Sequence, residues 1–253
     1  MPCYNQVDYI RAALDSALNQ NYENFEIVIG DDGSKDGSMQ IIDEYAKKFP
    51  NIIVPLVHAN NLGININFNN ILKNCKGKYI AFTSADDLFL QGKLKEQVEW
   101  MERNSDFSLC GHKVDWIDEN GSKISHKGYK MESGSGPGEF IKKGPLYAST
   151  SLMVRADKIP KSGFDERIKI ISDWKFQIDI LWNNEKYGFI DKCFAQYRRH
   201  EGNTSKTKPF VIFLDQLSTC YLVLKRSRGK YLLHCIYFII YGAVRKLLKK
   251  MIW

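Results

Sequence analysis

Two acidic clusters and one separate aspartate carry the residue types best suited to chemistry. Asp31-Asp32-Gly33-Ser34 follows an apolar run at residues 25–30, and Ser84-Ala85-Asp86-Asp87 follows another at 78–83. Taken singly, each reads as a turn: Asp and Gly suit tight turns, and Ser34 or Asp36 can cap a following helix. Taken together they need more, because two carboxylate clusters on one rim repel each other unless a cation or ligand lies between them. A nucleotide diphosphate meets that need. One carboxylate can accept hydrogen bonds from a base or ribose, and another can hold a divalent cation (Mn2+ or Mg2+) that neutralises the pyrophosphate. The chain has neither G-x-x-x-x-G-K-[ST] nor G-x-G-x-x-G, so metal and side chains, not a glycine cradle, must meet the phosphates. Asp173 heads a helical pattern, where it can accept a proton in catalysis or simply complement the helix dipole.

These residues need a scaffold. Helical periodicity covers residues 7–20, with Ile10, Leu14, Ala17 and Leu18 on one stripe, then 37–48, 64–75 and 91–103. Strand-like apolar runs at 25–30, 52–58 and 78–83 alternate with them. Such alternation predicts an α/β fold with a mostly parallel sheet and helices on both faces, and ligands then sit beyond the C-terminal strand ends, where both acidic clusters fall. Residues 149–154 and 187–198 also read as strands. Residues 171–182 read as a helix with Ser172 as N-cap. Trp174 and Trp182 on that helix read as core or as the wall of an acceptor pocket. Ser133-Gly-Ser-Gly-Pro-Gly138 is expected to be a mobile loop.

Charge divides the chain in two. Residues 1–205 carry 26 basic and 28 acidic groups, whereas 206–253 carry ten Lys or Arg and one acid, Asp215. A nearly neutral body with a basic tail argues against a nucleic-acid binder. The tail places Lys225, Arg226, Arg228 and Lys230 before a 14-residue apolar run, 231–244, and Arg245, Lys246, Lys249 and Lys250 after it. That run is short of the roughly 20 residues that span a bilayer. With Tyr231, Tyr237, Tyr241 and Trp253 it predicts a basic amphipathic helix lying on an anionic membrane surface. The alternatives are a helix packed on the body and a short tilted span. Six cysteines without metal-ligand spacing predict reduced thiols in a reducing compartment.

Pro2-Cys-Tyr-Asn5, Gln20-Asn-Tyr22, Glu26-Ile-Val-Ile-Gly-Asp-Asp-Gly-Ser-Lys-Asp36, Asn61-Leu-Gly63 and Gly77-Lys-Tyr-Ile-Ala-Phe-Thr-Ser-Ala-Asp-Asp87 resemble, in order and spacing, the family 2 glycosyltransferases of GT-A fold. Ser172-Asp-Trp174 and Tyr197-Arg-Arg-His200 extend the resemblance to about residue 205. It implies an inverting transferase. Tyr4 would pack the nucleobase, with Asn5, Asn61 and Gly63 also on the donor, and Asp31 and Asp32 would include the aspartate that binds uracil or ribose. Asp86 would hold a divalent metal on the diphosphate, His200 would stand beside it, and Asp173 would be the general base. There are two departures. Ser84 stands where the family has the first acid of its D-x-D element, placed for ribose or a metal-bound water. Only Met1 stands where the family has an apolar first strand, so either the native start lies upstream or the fold is destabilised.

The expected division is therefore a glycosyltransferase domain at 1–205 and a membrane-associating tail at 206–253. The expected reaction moves a sugar from a nucleotide diphosphate sugar, UDP-linked, to a hydroxyl of a glycan or lipid-linked acceptor. The expected setting is cell-surface polysaccharide synthesis at the cytoplasmic face of a membrane, without nucleic acid. A catalytically silent scaffold of the same fold and a nucleotidyltransferase are the alternatives.

Overall fold

The apolar runs at the start of the chain build a parallel sheet in the order β1 (Pro2–Cys3), β2 (Ile27–Asp31), β3 (Ile53–Val57). The structure is a computed structural model that describes residues 1–125, 132–203 and 208–240. Helix α1 (Ile10–Leu18) buries Ile10, Leu14 and Ala17 of the predicted stripe, with Ala13 buried beside them and Leu18 only half-buried. Helices α2 (Ser38–Lys48) and α3 (Ile64–Asn74) complete the crossovers. The expectation that nothing forms the first strand is corrected. Pro2 and Cys3 pair in parallel with Gly30 and Asp31, and the Met1 amino group donates to the Val28 carbonyl at 2.8 Å.

A second, mixed sheet follows. It contains β4 (Tyr79–Ala81), β5 (Leu88–Phe89), β6 (Phe107–Ile117), β7 (Lys123–Ile124), β8 (Gly134–Ser135), β9 (Met153–Arg155) and β10 (Lys186–Arg198). Its order is β4-β9-β6-β10-β5, with β7 on β6 and β8 on β10. Strands β6 and β10 run parallel, while β9 is antiparallel to β4 and β6, and β5 to β10. The β5–β10 register fixes the site: Gln196 faces Leu88, so the residues just after β10 come to lie beside Asp86 and Asp87, just before β5.

The remaining helices are α4 (Lys93–Arg103), α5 (Gly138–Lys143), α6 (Ser172–Ile180), α7 (Pro209–Ser227) and α8, residues 232–240. The 133–138 segment contains β8 and the start of α5, where a plain loop was expected. Ser133 Oγ accepts from the Phe189 amide, Gly134 lies against the Tyr187 ring, and Gly138 starts α5. Ser172 is the first residue inside α6 and not its cap; Ile171 holds the cap position.

Two apolar cores form. One joins α1, α2 and β1–β3 to α4, and the other joins α3, α5 and α6 to the C-terminal helices. Phe68, Phe164 and Phe176 stack through the second, with centroids 4.5 and 4.2 Å apart. Trp174 is fully buried, donates to the Phe140 carbonyl at 2.7 Å and packs on Phe238, so it is core. Trp182 packs on Tyr231. Cys220 and Cys235 are buried, and all six cysteines are free thiols. The tail expectation is thereby divided: α8 packs one face on the body and leaves Leu233 and Ile240 exposed. The basic residues from Arg245 onward, with Tyr241 and Trp253, lie outside the described residues.

Candidate active site

Strand β1 brings the two acidic clusters together. The Cys3 carbonyl accepts the Asp32 amide at 2.9 Å, and the Pro2 carbonyl accepts the Ala85 amide at 3.2 Å. Both clusters therefore hang on two adjacent carbonyls at the C-terminal rim of the parallel sheet, where the sequence pattern places them.

The first turn is tightly pinned. Asp31 Oδ2 accepts the Ser34 amide at 3.0 Å. Its Oδ1 is buried and has no hydrogen-bond partner among the described residues, which suits an acceptor aimed at a ligand donor. Asp32 is used differently. Its two oxygens accept the Leu62 and Gly63 amides, each at 2.9 Å, so Asp32 ties the Asn61-Leu-Gly63 turn to the rim. Asn5, with φ 51°, gives its amide to Ser34 Oγ and receives the Lys35 amide, both at 2.9 Å. Gly33 is required here: its φ is +76°, and a Cβ would lie 2.8 Å from the Asn60 carbonyl carbon. Tyr4 projects at 45% exposure beside this turn, open to stack on a planar ligand. Asn61 is exposed at the tip of the facing turn.

The second cluster meets the end of β10. Asp86 Oδ2 lies 3.0 Å from His200 Nε2 and 3.4 Å from Asn203 Nδ2. The His200 amide donates to Asn203 Oδ1 at 2.7 Å, and its ring packs on Tyr9, centroids 4.9 Å apart. Arg198 donates to the Asp86 carbonyl at 2.9 Å and to the Asp118 and Glu119 carbonyls, and its guanidinium lies over Tyr9. Asp87 accepts the Arg198 amide at 3.0 Å and is sealed from water. Burial, reinforced by the Asp86 charge, pushes its carboxyl well above the usual range. Asp86 is thus the member left facing a ligand. Ser84 is half-buried on the same turn.

No group of three or more His, Cys, Asp or Glu side chains gathers among the described residues. One carboxylate and one imidazole 3.0 Å apart do suit a divalent cation whose other ligands are diphosphate oxygens and water. A cage closed by protein alone is not what these residues offer.

Asp173 sits in the first turn of α6, half-buried, with Oδ2 accepting from Ser149 Oγ at 3.1 Å and Oδ1 from the Trp174 amide at 2.9 Å. Burial raises its carboxyl above the ordinary value, and the two hydrogen bonds offset this only in part. A raised carboxyl is a stronger proton acceptor once ionised.

Several residues that hold this arrangement were not legible as site residues. Asn65 donates to the Ile168 carbonyl and accepts from Ser172 Oγ, next to Asp173. Asn67 donates to the Gly30 carbonyl at 2.8 Å, just before Asp31. Asn69 exchanges two hydrogen bonds with the Phe164 backbone, at 3.0 and 2.7 Å. Helix α3 is therefore a staple between the donor turn and the segment leading to α6. The available signal was five asparagines in an 11-residue helix, since asparagine is a poor helix former. Ser149 and Asn203 left no comparable mark.

Comparison with known proteins agrees with this geometry. An uncharacterized glycosyltransferase of Methanocaldococcus jannaschii is 30% identical over 203 residues, 78% of this chain and 69% of that protein. The minor teichoic acid biosynthesis protein GgaB of Bacillus subtilis is 28% identical over 211 residues, 81% of this chain but 23% of GgaB. An uncharacterized protein of Mycobacterium tuberculosis is 38% identical over 124 residues, 48% of this chain, and the match spans 36% of that relative's length. Among solved structures, residues 1–349 of Staphylococcus aureus TarS in complex with UDP-GlcNAc superpose with a TM-score of 0.72 at 20% identity, covering 88% of this chain and 65% of that one. The mannosyltransferase PcManGT of Pyrobaculum calidifontis, in complex with GDP-Man and Mn2+, superposes at 0.63 and 14% identity over 97% of this chain and 79% of that one. The fold is of the GT-A type. The family model of glycosyl transferase family 2 matches residues 1–200, and the chain belongs to that family.

Proposed function

We propose that the chain transfers a sugar, with inversion, from a UDP-linked donor to a hydroxyl of a glycan or lipid-linked acceptor during synthesis of a cell-surface polysaccharide. The observation that carries this reading is the half-buried Asp173 carboxylate, raised in pKa and held by Ser149 and Trp174. In a single displacement the acceptor hydroxyl attacks the anomeric carbon opposite the diphosphate, and Asp173 takes the hydroxyl proton as the bond forms. Asp31 and Tyr4 receive the nucleoside, while Asn5 and Asp32 keep the two turns in place. Asp86 and His200 would hold a divalent cation, Mn2+ or Mg2+, on the diphosphate, where its charge stabilises the leaving group. The UDP-GlcNAc of TarS, the Mn2+ of PcManGT and the teichoic acid role in the name of GgaB support donor class, cation and pathway class respectively. Calorimetry of UDP- and GDP-sugars with and without Mn2+ tests the reading. A UDP-sugar should bind only with the cation; equal binding in EDTA would remove the cation from the proposal.

We also read the C-terminal region as a peripheral attachment to the anionic cytoplasmic face of a membrane. Among the described residues no helix is long and apolar enough to cross a membrane. Phe210, Leu214, Leu217 and Tyr221 form one exposed stripe of α7, and Leu233, Ile236 and Ile240 one of α8. Lys225, Arg226, Arg228 and Lys230 lie around the turn between the helices, and each basic group near an anionic leaflet can contribute about 1 kcal/mol. Flotation with phosphatidylserine vesicles should capture the protein at low salt. The double variant Phe210→Ser/Leu233→Ser should float less; equal flotation would reject these faces as the attachment.

A further inference from the structure

Asp215 is the one acid between residues 206 and 253, and it does not face solvent. It is 4% exposed on α7. Its Oδ1 accepts the Lys169 amide at 3.0 Å, and its Oδ2 accepts the Ile170 and Ile171 amides at 2.6 and 3.3 Å. A carboxylate removed from water is unfavourable unless donors replace the lost hydration, and three consecutive amides form an anion-binding concavity that does so. The location of these amides is the informative part. Ile171 holds the cap position of α6, and Asp173 stands in the first turn of that helix.

The other side of the same segment is held by α3, through Asn65 to the Ile168 carbonyl and to Ser172 Oγ. The far end of α6 is also tied to α7, by Arg226 to Asp179 at 2.9 Å. Helix α7 itself is seated by Thr219, Cys220 and Val223, all buried. The start of α6 is therefore gripped from two sides by groups that are neither at the donor turn nor on α6.

Building on the reading of Asp173 as the base, we propose that Asp215 is a positioning residue for sugar transfer: its carboxylate clasps residues 169–171 and so fixes where α6 starts and where Asp173 presents its carboxylate. Asparagine at this place keeps the shape but offers one acceptor oxygen, and its NH2 group opposes an incoming amide.

The test uses the full chain with Asp215→Asn, Asp173→Asn and the double variant. Amide hydrogen exchange in Asp215→Asn should accelerate across 169–173 while β2 and α3 keep their protection. With the UDP-sugar found by calorimetry and Mn2+ present, kcat for UDP release should fall roughly 10- to 100-fold with the donor KM unchanged, the scale expected of a reacting group displaced by about 1 Å. The double variant should be no slower than Asp173→Asn alone, because the clasp has nothing left to position. Parental kcat in Asp215→Asn, or losses that multiply in the double variant, would overturn the proposal. Asp173→Asn at the parental rate rejects the base reading and this role with it. A dead Asp173→Asn beside a fully active Asp215→Asn rejects the positioning role alone. Should Asp215→Asn not fold, Asp215→Glu keeps the charge and moves the carboxylate by one methylene, and the same split between kcat and KM is expected of it.

Discussion

The aspartates on the two sides of the site are held in different ways. At the Asp31 turn on the donor side the ties that set the carboxylates are short. Asp31 binds the amide three residues on and Asp36 binds Ser38, and Asn5 joins the same turn from 29 residues away. On the base side the ties cross the molecule. Asp173 is held by Ser149, and the residues before it are held by Asp215 from α7 and Asn65 from α3. A turn built from its own neighbours can be nearly correct before the rest of the chain folds. A carboxylate placed by three separate elements is correct only when all of them are packed. The Asp31 turn should therefore tolerate loss of tertiary contacts that the base side cannot.

The largest effect should come from the base itself. Asp173→Asn is nearly isosteric and cannot accept the proton, so turnover should fall by about two to four powers of ten while donor binding persists. Because burial raises the Asp173 carboxyl, the acid limb of the kcat profile should lie above the ordinary carboxylate range, with activity lost as pH falls through it. A normal rate in Asp173→Asn, or a limb at the ordinary value, would remove the distinction drawn between the two sides.

Next in size is the diphosphate end. Asp86→Ala takes away the carboxylate facing His200. Cation-dependent binding of UDP in calorimetry should weaken by at least about tenfold, while the fold, measured by thermal melting, changes little. Unchanged binding would take Asp86 out of the site and leave the donor side defined by Asp31 alone.

A third variant tests the staple between the sides. Asn69→Ala leaves the Phe164 amide and carbonyl without the partner they now share. The expected cost is about 1–3 kcal/mol, or a fall in Tm of roughly 2–4 °C per kcal/mol in a protein of this size, with the donor KM unaffected. A shift in donor KM at constant Tm would mean that α3 serves the donor directly.

The contrast also explains what the sequence made legible. Asp31-Asp32-Gly33-Ser34 and the ends of α2, α3 and α4 could be read because their cause is local: turn chemistry, an apolar stripe, a run of β-branched residues. Asp32 was placed on the correct rim, but its task, holding Leu62 and Gly63, depends on a contact 30 residues away. Ser133–Gly138 reads as a linker by composition, yet a Cβ at Gly134 would run into the Tyr187 ring and Gly136 has φ +69°. The basic tail reads as a surface helix, yet Cys235 and Phe238 belong to the core. Partners distant in sequence set each of these, and neither periodicity nor composition records them.

The narrowest expected effect, confined to one pH window, concerns a buried ionisable group whose neighbours are uncharged. Lys93 opens α4 with no exposed surface. Its amine meets Gln97 Oε1, His112 Nε2 at 3.2 Å and the face of Phe89 at 4.7 Å, with Cys110 nearby. His112 is neutral, since burial and then Lys93 lower it to about 2, and burial raises Cys110 to about 12. Burial accordingly brings Lys93 down to about 7 from an ordinary 10.5. Below pH 7 native and unfolded chains both carry the proton. Between that value and 10.5 the unfolded chain holds a proton the native one lacks, so stability rises with pH. The full slope is about 1.4 kcal/mol per pH unit, and near pH 7 only part of it is realised. Lys93→Met, which fills similar volume without the charge, should be more stable than the parent at pH 7. That advantage should shrink step by step up to pH 9. A Tm difference that stays constant with pH would show that Lys93 keeps its proton in the native protein.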